Sequence, residues 1–145
     1  MKNLTIKWQR LVKDNTTCPR CADTEKELEK AYNKLKEAFR ILDIEVILEK
    51  NEINPVEFSE NPLNSNLILI NDKPLEAWLS AQTGKSRCCS VCGDEECRTI
   101  HLEGYVYETI PENLIIKACL IAASQLIPVN KTFKILPIKK LTKDQ

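Results

Sequence analysis

The sequence predicts an α/β domain, a mixed sheet of four to five strands with helices packed on it and a Cys-rich loop inserted. Three observations predict it. Residues 4–11 alternate apolar and polar side chains with period two, the pattern of a strand with one buried face. Over residues 28–42, Leu28, Ala31, Leu35, Ala38 or Phe39, and Leu42 recur at steps of three and four while Glu25, Lys26, Glu29, Lys30, Lys34 and Lys36 fill the other faces, which is an amphipathic helix. Residues 43–49 follow directly with Ile44, Val46 and Ile47, a second strand. A strand, a helix and a strand of these lengths form a right-handed parallel crossover.

The remaining elements follow in order. Asp14, Asn15, Thr16 and Thr17 are loop chemistry, and Pro19 suits the first position of a helix that starts at Cys18, because the N–H that proline lacks is unpaired there anyway. Residues 54–65, with Pro55 and Pro62, read as irregular or as one short helical turn. Residues 67–70 form a short continuous apolar strand, and Asn71, Asp72 and Lys73 turn it into residues 74–79. After the cysteine-rich loop at 84–98, residues 99–102 and 105–107 flank Glu103 and Gly104 as a hairpin. Pro111 and Glu112 then open a helix over 114–126 that is apolar around much of its circumference.

At 145 residues and 43% hydrophobic content the chain suits one domain with its own core, residues 1–127, followed by a basic tail at 128–145. That tail carries Lys131, Lys134, Lys139, Lys140 and Lys143 and reads as a solvated segment with one strand at 133–138. Lys plus Arg and Asp plus Glu are both 21, so no global field recruits nucleic acid or an acidic membrane surface. Lys7, Gln9 and Arg10 interrupt the N-terminal apolar residues, which therefore do not read as a secretory signal, and no run reaches the roughly 20 apolar residues of a membrane span. The expected location is the cytoplasm. In that reducing compartment the 7 cysteines are expected as thiols, metal thiolates or transient disulfides. Cys119, set among Ile115, Ile116, Leu120 and Ile121, reads as a small core residue, and Trp8 and Trp78 as core and sheet-covering residues.

The motif Cys18-Pro19-Arg20-Cys21 carries the chemistry. A thiol at a helix N-terminus faces unpaired N–H groups and the positive end of the helix dipole, which lower the pKa of Cys18. Arg20 adds a fixed positive charge in the same direction, opposed in part by Asp23 and Glu25. Three residues further on, Cys21 comes round the first turn close enough to attack a mixed disulfide on Cys18. These positions assign Cys18 as nucleophile, Cys21 as resolving thiol and Arg20 as the activating charge.

The order strand, CxxC, amphipathic helix, strand, strand, closing helix resembles the thioredoxin-like fold. The runs TIKWQRLV, CPRCADTEKELE, NSNLILINDKPLEAWL, CCSVCGDEECRT and YETIPENLIIKA further resemble a thioredoxin-like family without assigned function, domain of unknown function family 2703, over nearly the whole chain to about Leu126. The resemblance implies that Cys18 is the exposed nucleophile and Cys21 its buried partner, with a parallel strand pair beside an antiparallel hairpin from Leu67 onward. Thioredoxin-like proteins place a cis proline before the first hairpin strand, where it faces the dithiol and keeps metal off the sulfurs. This chain has Ser65 or Asn66 at that position, which leaves metal binding by the pair open.

A second cluster, Cys88, Cys89, Cys92 and Cys97, offers a CxxC step from Cys89 to Cys92, a tight turn at Gly93 and a further thiol five residues on. Cys89, Cys92 and Cys97 are the comfortable ligand set, with Cys88 or His101 as fourth, and zinc or another soft metal is the expected ion. Disulfides that exchange with Cys18 and Cys21, or inert surface thiols, are the other readings of this loop. Glu95 and Glu96 read as charge that solvates it. One histidine and no GxSxG context give no support to hydrolase triads, and 3 glycines build no phosphate loop, so no nucleotide cofactor is expected. The sequence thus points to a thiol-disulfide redox protein, its partner a thiol or disulfide on a protein or small molecule, whose Cys-rich loop binds a soft metal or relays electrons. A zinc or soft-metal-binding module without turnover is the alternative, and a scaffold with ordinary cysteines is the third.

Overall fold

The computed structural model describes residues 1–87, 92–128, 136 and 138. Strand β1 (Lys2–Leu11) sends Leu4, Ile6 and Trp8 to one face, each fully buried, as a period-two pattern requires. Helix α1 (Pro19–Arg40) has Pro19 in its first turn and Cys18 as its N-cap residue in an extended conformation. Its buried face is Arg20, Cys21, Thr24, Leu28, Ala31, Leu35 and Phe39, at the three- and four-residue steps the sequence shows. Each large apolar side chain on that stripe stabilises the fold by roughly 1.5–3 kcal/mol on burial. The helix stops at Arg40, so Leu42, expected on the core face, stands 48% exposed in the turn that follows.

Strand β2 (Ile44–Ile53) pairs in parallel with β1 along its whole length, from Lys2 beside Ile44 to Leu11 beside Ile53. It runs past the expected end at residue 49 because Ile53, itself buried, meets the buried end of β1 at Leu11. Residues 54–65 are more regular than expected. Asn54 and Glu57 close a reciprocal capping box at the start of α2 (Pro55–Glu60), and a 3-10 turn follows at Pro62–Asn64. Strand β3 (Leu67–Ile70) lies antiparallel to β1, and Asn71 and Asp72, at φ 47 and 64, turn it into β4 (Lys73–Pro74). The first sheet is therefore mixed and four-stranded, in the order β2-β1-β3-β4. Helix α3 (Leu75–Trp78) follows β4, and α4 (Glu112–Ser124), with Pro111 as its N-cap residue, packs against α1, β1 and β3.

A second, antiparallel sheet is built from β5 (Gln82–Arg87), β6 (Glu96–Leu102) and β7 (Tyr105–Tyr107), with β6 in the centre. The loop expected over 84–98 is in large part a hairpin: residues 84–87 and 96–98 are strand, paired from Gln82 beside His101 to Arg87 beside Glu96. β5 consists of Gln82, Thr83, Gly84, Lys85, Ser86 and Arg87, which show no apolar alternation, so its strand character comes from pairing with β6 and not from burial of its own side chains. The β6–β7 hairpin turns at Glu103 and Gly104, both at positive φ, as expected.

An arginine fastens this sheet to the rest of the fold. Arg98 on β6 donates Nε–H to Glu76 Oε2 at 2.7 Å and Nη1–H to the Leu63 carbonyl at 2.8 Å, and Thr83 Oγ1 donates to the same Glu76 oxygen at 2.9 Å. Cys88, Cys89 and most of the basic tail, including the strand expected over 133–138 apart from residues 136 and 138, lie outside the described residues. Among the described residues no helix is long and apolar enough to cross a membrane.

Candidate functional site

The CPRC motif lies where β1 hands over to α1, and local hydrogen bonds hold it there. Thr17 Oγ1 donates to the Leu11 carbonyl at 2.8 Å, and the Leu11 N–H donates to Ser65 Oγ at 3.0 Å. Cys18 occupies the N-cap of a 22-residue helix, where the first-turn N–H groups and the helix dipole favour negative charge. Its side chain makes no capping hydrogen bond.

Cys21 lies one turn on, 1% exposed, with its sulfur 3.8 Å from Ser65 Oγ. Its pKa is driven far upward, first by its hydrogen bond with Cys18, then by burial and by the charge of Cys18, while the Ser65 hydroxyl opposes the shift. Cys21 is therefore held as the neutral thiol. Cys119 is fully buried in α4, as expected of a core residue, and burial pushes its thiol up to about 12.

Two features differ from the sequence reading. Cys18, expected to be exposed, is 2% exposed. The β5–β6 hairpin, which the sequence presents as a loop, is held against the first turn of α1. Arg20 holds it: Nη1 donates to the carbonyls of Ser86 at 3.2 Å and Cys97 at 3.5 Å, and Nη2 donates to Ser86 Oγ at 3.0 Å and to the Arg87 carbonyl at 2.7 Å. Glu108 Oε2 stands 3.3 Å from the same Nη2, and Ser86 Oγ donates to Glu108 Oε1 at 3.3 Å. The guanidinium expected to activate Cys18 thus gives its Nη donors to the second sheet, and among the described residues its Nε–H is buried without a partner.

Of the second cysteine cluster, Cys92 and Cys97 are described. Gly93, at φ 65, and a hydrogen bond from the Glu95 N–H to the Cys92 carbonyl turn the chain back towards β6. The Cys97 thiol donates to the Cys92 sulfur at 3.0 Å, and both residues are buried. The Cys97 carbonyl accepts from Arg20, the residue before Cys21, which brings the chain at Cys97 to the first turn of α1, and Cys97 also acts electrostatically on Cys21. His101, the other candidate ligand, has Nε2 3.1 Å from Thr99 Oγ1. Among the described residues no three His, Cys, Asp or Glu side chains stand together to hold a metal ion, so Cys92 and Cys97 supply at most half of the zinc site expected from Cys88, Cys89, Cys92 and Cys97.

Ser65, Ser86, Glu108 and Thr24 are the site residues that sequence reasoning did not assign a role. Thr24 Oγ1 accepts the Ile110 N–H at 3.1 Å and so fixes the chain before α4 to the turn of α1 beyond the dithiol. Nothing in the spacing of these polar residues marks them, although Ser65 is one of the two residues, with Asn66, singled out in the sequence before the strand at 67–70.

No solved structure matches this chain. An uncharacterized protein of Archaeoglobus fulgidus is 45% identical over 112 residues, which span 77% of this chain and 82% of that relative. The family described as Domain of unknown function (DUF2703) matches residues 4–119, a stretch that includes the CPRC motif, Ser65, the Arg20 clamp and the Cys92–Cys97 pair. With that match over most of its length, the chain belongs to the DUF2703 family.

Proposed function

We propose that this chain is a thiol-disulfide redox protein on a thioredoxin-like scaffold, with Cys18 as nucleophile and Cys21 as resolving thiol. The observation that carries it is the Cys21 thiol, hydrogen-bonded to a Cys18 that caps a long helix. The scaffold reading is supported by the parallel β1-α1-β2 crossover, by β3 lying antiparallel beside β1, and by Ser65 facing the dithiol from the residue pair before β3. The expected partner is a thiol or disulfide, on a protein or a small molecule, in the cytoplasm.

In the forward direction the Cys18 thiolate attacks one sulfur of a substrate disulfide, which breaks that bond and releases one substrate thiolate. Cys21 then gives up its proton and attacks Cys18 Sγ. The mixed disulfide breaks, the second substrate thiol leaves, and the Cys18–Cys21 disulfide retains the oxidation. Because Cys18 is 2% exposed, a substrate reaches it only after a local opening, and we take the Arg20-held hairpin as the part that moves.

The test is turnover of a small aromatic disulfide under a regenerating dithiol. Cys18→Ser is expected to abolish it, and Cys21→Ser to stop at a mixed disulfide visible as added mass. Full activity in Cys18→Ser refutes the nucleophile assignment. The second reading, a soft-metal-binding module, draws on the close Cys92–Cys97 pair, and stoichiometric metal in freshly purified protein is the result that favours it.

A further inference from the structure

The buried pair Cys92 and Cys97 is not needed to reduce a substrate, yet it sits beside the dithiol that is. The two sulfurs are 3.0 Å apart, against about 2.05 Å in a disulfide, so oxidation needs a small movement of one side chain. Cys97 is fully buried, and its own carbonyl accepts a hydrogen bond from Arg20, the residue adjoining Cys21. Resting on the reading of Cys18 and Cys21 as a redox dithiol, we infer that Cys92 and Cys97 form a second dithiol, which takes the disulfide from the first through a Cys21–Cys97 cross-link.

The exchange balances within the chain. Cys97, as thiolate, attacks Cys21 Sγ; the Cys18–Cys21 bond breaks and Cys18 leaves as thiolate. Attack on this sulfur is the favoured direction because the leaving group is then the thiol at the helix N-terminus, where negative charge is stabilised. Cys92 next loses its proton and attacks Cys97 Sγ; the Cys21–Cys97 bond breaks and Cys21 takes up a proton. Two electrons have moved from the Cys92–Cys97 pair to the Cys18–Cys21 pair; of the two protons lost by Cys92 and Cys97, one is taken up by Cys21 and the other passes to solvent while Cys18 stays thiolate. The relay carries the disulfide from the start of α1 to Cys92, beside the turn at Gly93.

Full-length protein is oxidised with diamide, quenched in acid, alkylated and mapped as peptides. Wild type is expected to carry both a Cys18–Cys21 and a Cys92–Cys97 disulfide. The Cys18→Ser, Cys92→Ser double variant, which lacks the two thiols that could cleave a Cys21–Cys97 bond, is expected to hold Cys21–Cys97 as its main disulfide. A Cys97→Ser variant controls for folding and keeps Cys18–Cys21 alone. Wild type with Cys18–Cys21 but no Cys92–Cys97, or a double variant without Cys21–Cys97, overturns the relay and leaves the first dithiol standing. Absence of Cys18–Cys21 in wild type overturns the relay together with the reading beneath it.

Discussion

Replacing Arg20 with Ala separates two roles for this side chain, because they predict rate changes of opposite sign. If Arg20 served as the charge that ionises Cys18, its loss would slow alkylation of that thiol. In the structure the guanidinium makes four hydrogen bonds to β5 and β6, and its side chain is 4% exposed. Hydrogen bonds from a charged group contribute roughly 1.5–3 kcal/mol each when measured singly, and a cluster from one group contributes well below their sum. Water will also satisfy the half-buried Ser86 and Arg87 carbonyls once the arginine is gone, so hairpin opening should become easier by about 2–4 kcal/mol. At 1.4 kcal/mol per decade this is an acceleration of Cys18 labelling by about 30- to 700-fold. The assay is pulsed alkylation of the native protein with peptide mass readout, and Cys119 reports global unfolding in the same sample. Arg20→Lys keeps the charge but loses the planar fork and should resemble Arg20→Ala. Unchanged or slower labelling of Cys18, or equal acceleration of Cys18 and Cys119, would refute the clamp.

Three further outcomes follow from the same geometry. Thr24→Val removes the acceptor of the buried Ile110 N–H and should lower stability by about 1–3 kcal/mol in denaturant unfolding. Glu76→Ala strands the Arg98 guanidinium beneath the second sheet; about 3–5 kcal/mol of stability should be lost, with protection from amide exchange falling first in β5 and β6. The folded-state pKa of Cys119, about 12, lies above its unfolded value of 9.0, so the stability its burial contributes is complete below pH 9 and is lost as pH rises towards 12. Thermal midpoints measured between pH 9 and 11 should therefore fall by the equivalent of about 1.4 kcal/mol per pH unit from this group, and Cys119→Ala should flatten the decline.

The first sheet and its long helix were legible because their signals are local. Period-two burial in β1, the three- and four-residue stripe of α1, the apolar run of β3 and the Asn71-Asp72 turn each lie within a few residues of sequence. The capping box of Asn54 and Glu57 was equally local, but two prolines nearby masked it, although Pro55 belongs in the first turn of such a helix. β5 was illegible for a different reason: Gln82, Thr83, Lys85, Ser86 and Arg87 carry no strand pattern, and only the pairing with β6 makes them one. The same long-range event reshaped the site. The position of Cys18 at a helix start follows from Pro19 and the stripe behind it, whereas the hairpin beside it is brought there by Arg20, whose partner Ser86 is 66 residues away in sequence. Arg20 beside the dithiol looked like a source of charge because sequence reports adjacency along the chain, and its true partners are carbonyls on another sheet.

Native mass spectrometry of the purified protein, before and after a dithiol reductant, addresses the redox reading most directly. The account predicts an oxidised species lighter than the reduced one by two hydrogens for each disulfide, with Cys18–Cys21 among the bonds and no mass of metal that persists in both states. A constant metal adduct with Cys18 and Cys21 remaining as thiols under oxidant would contradict it.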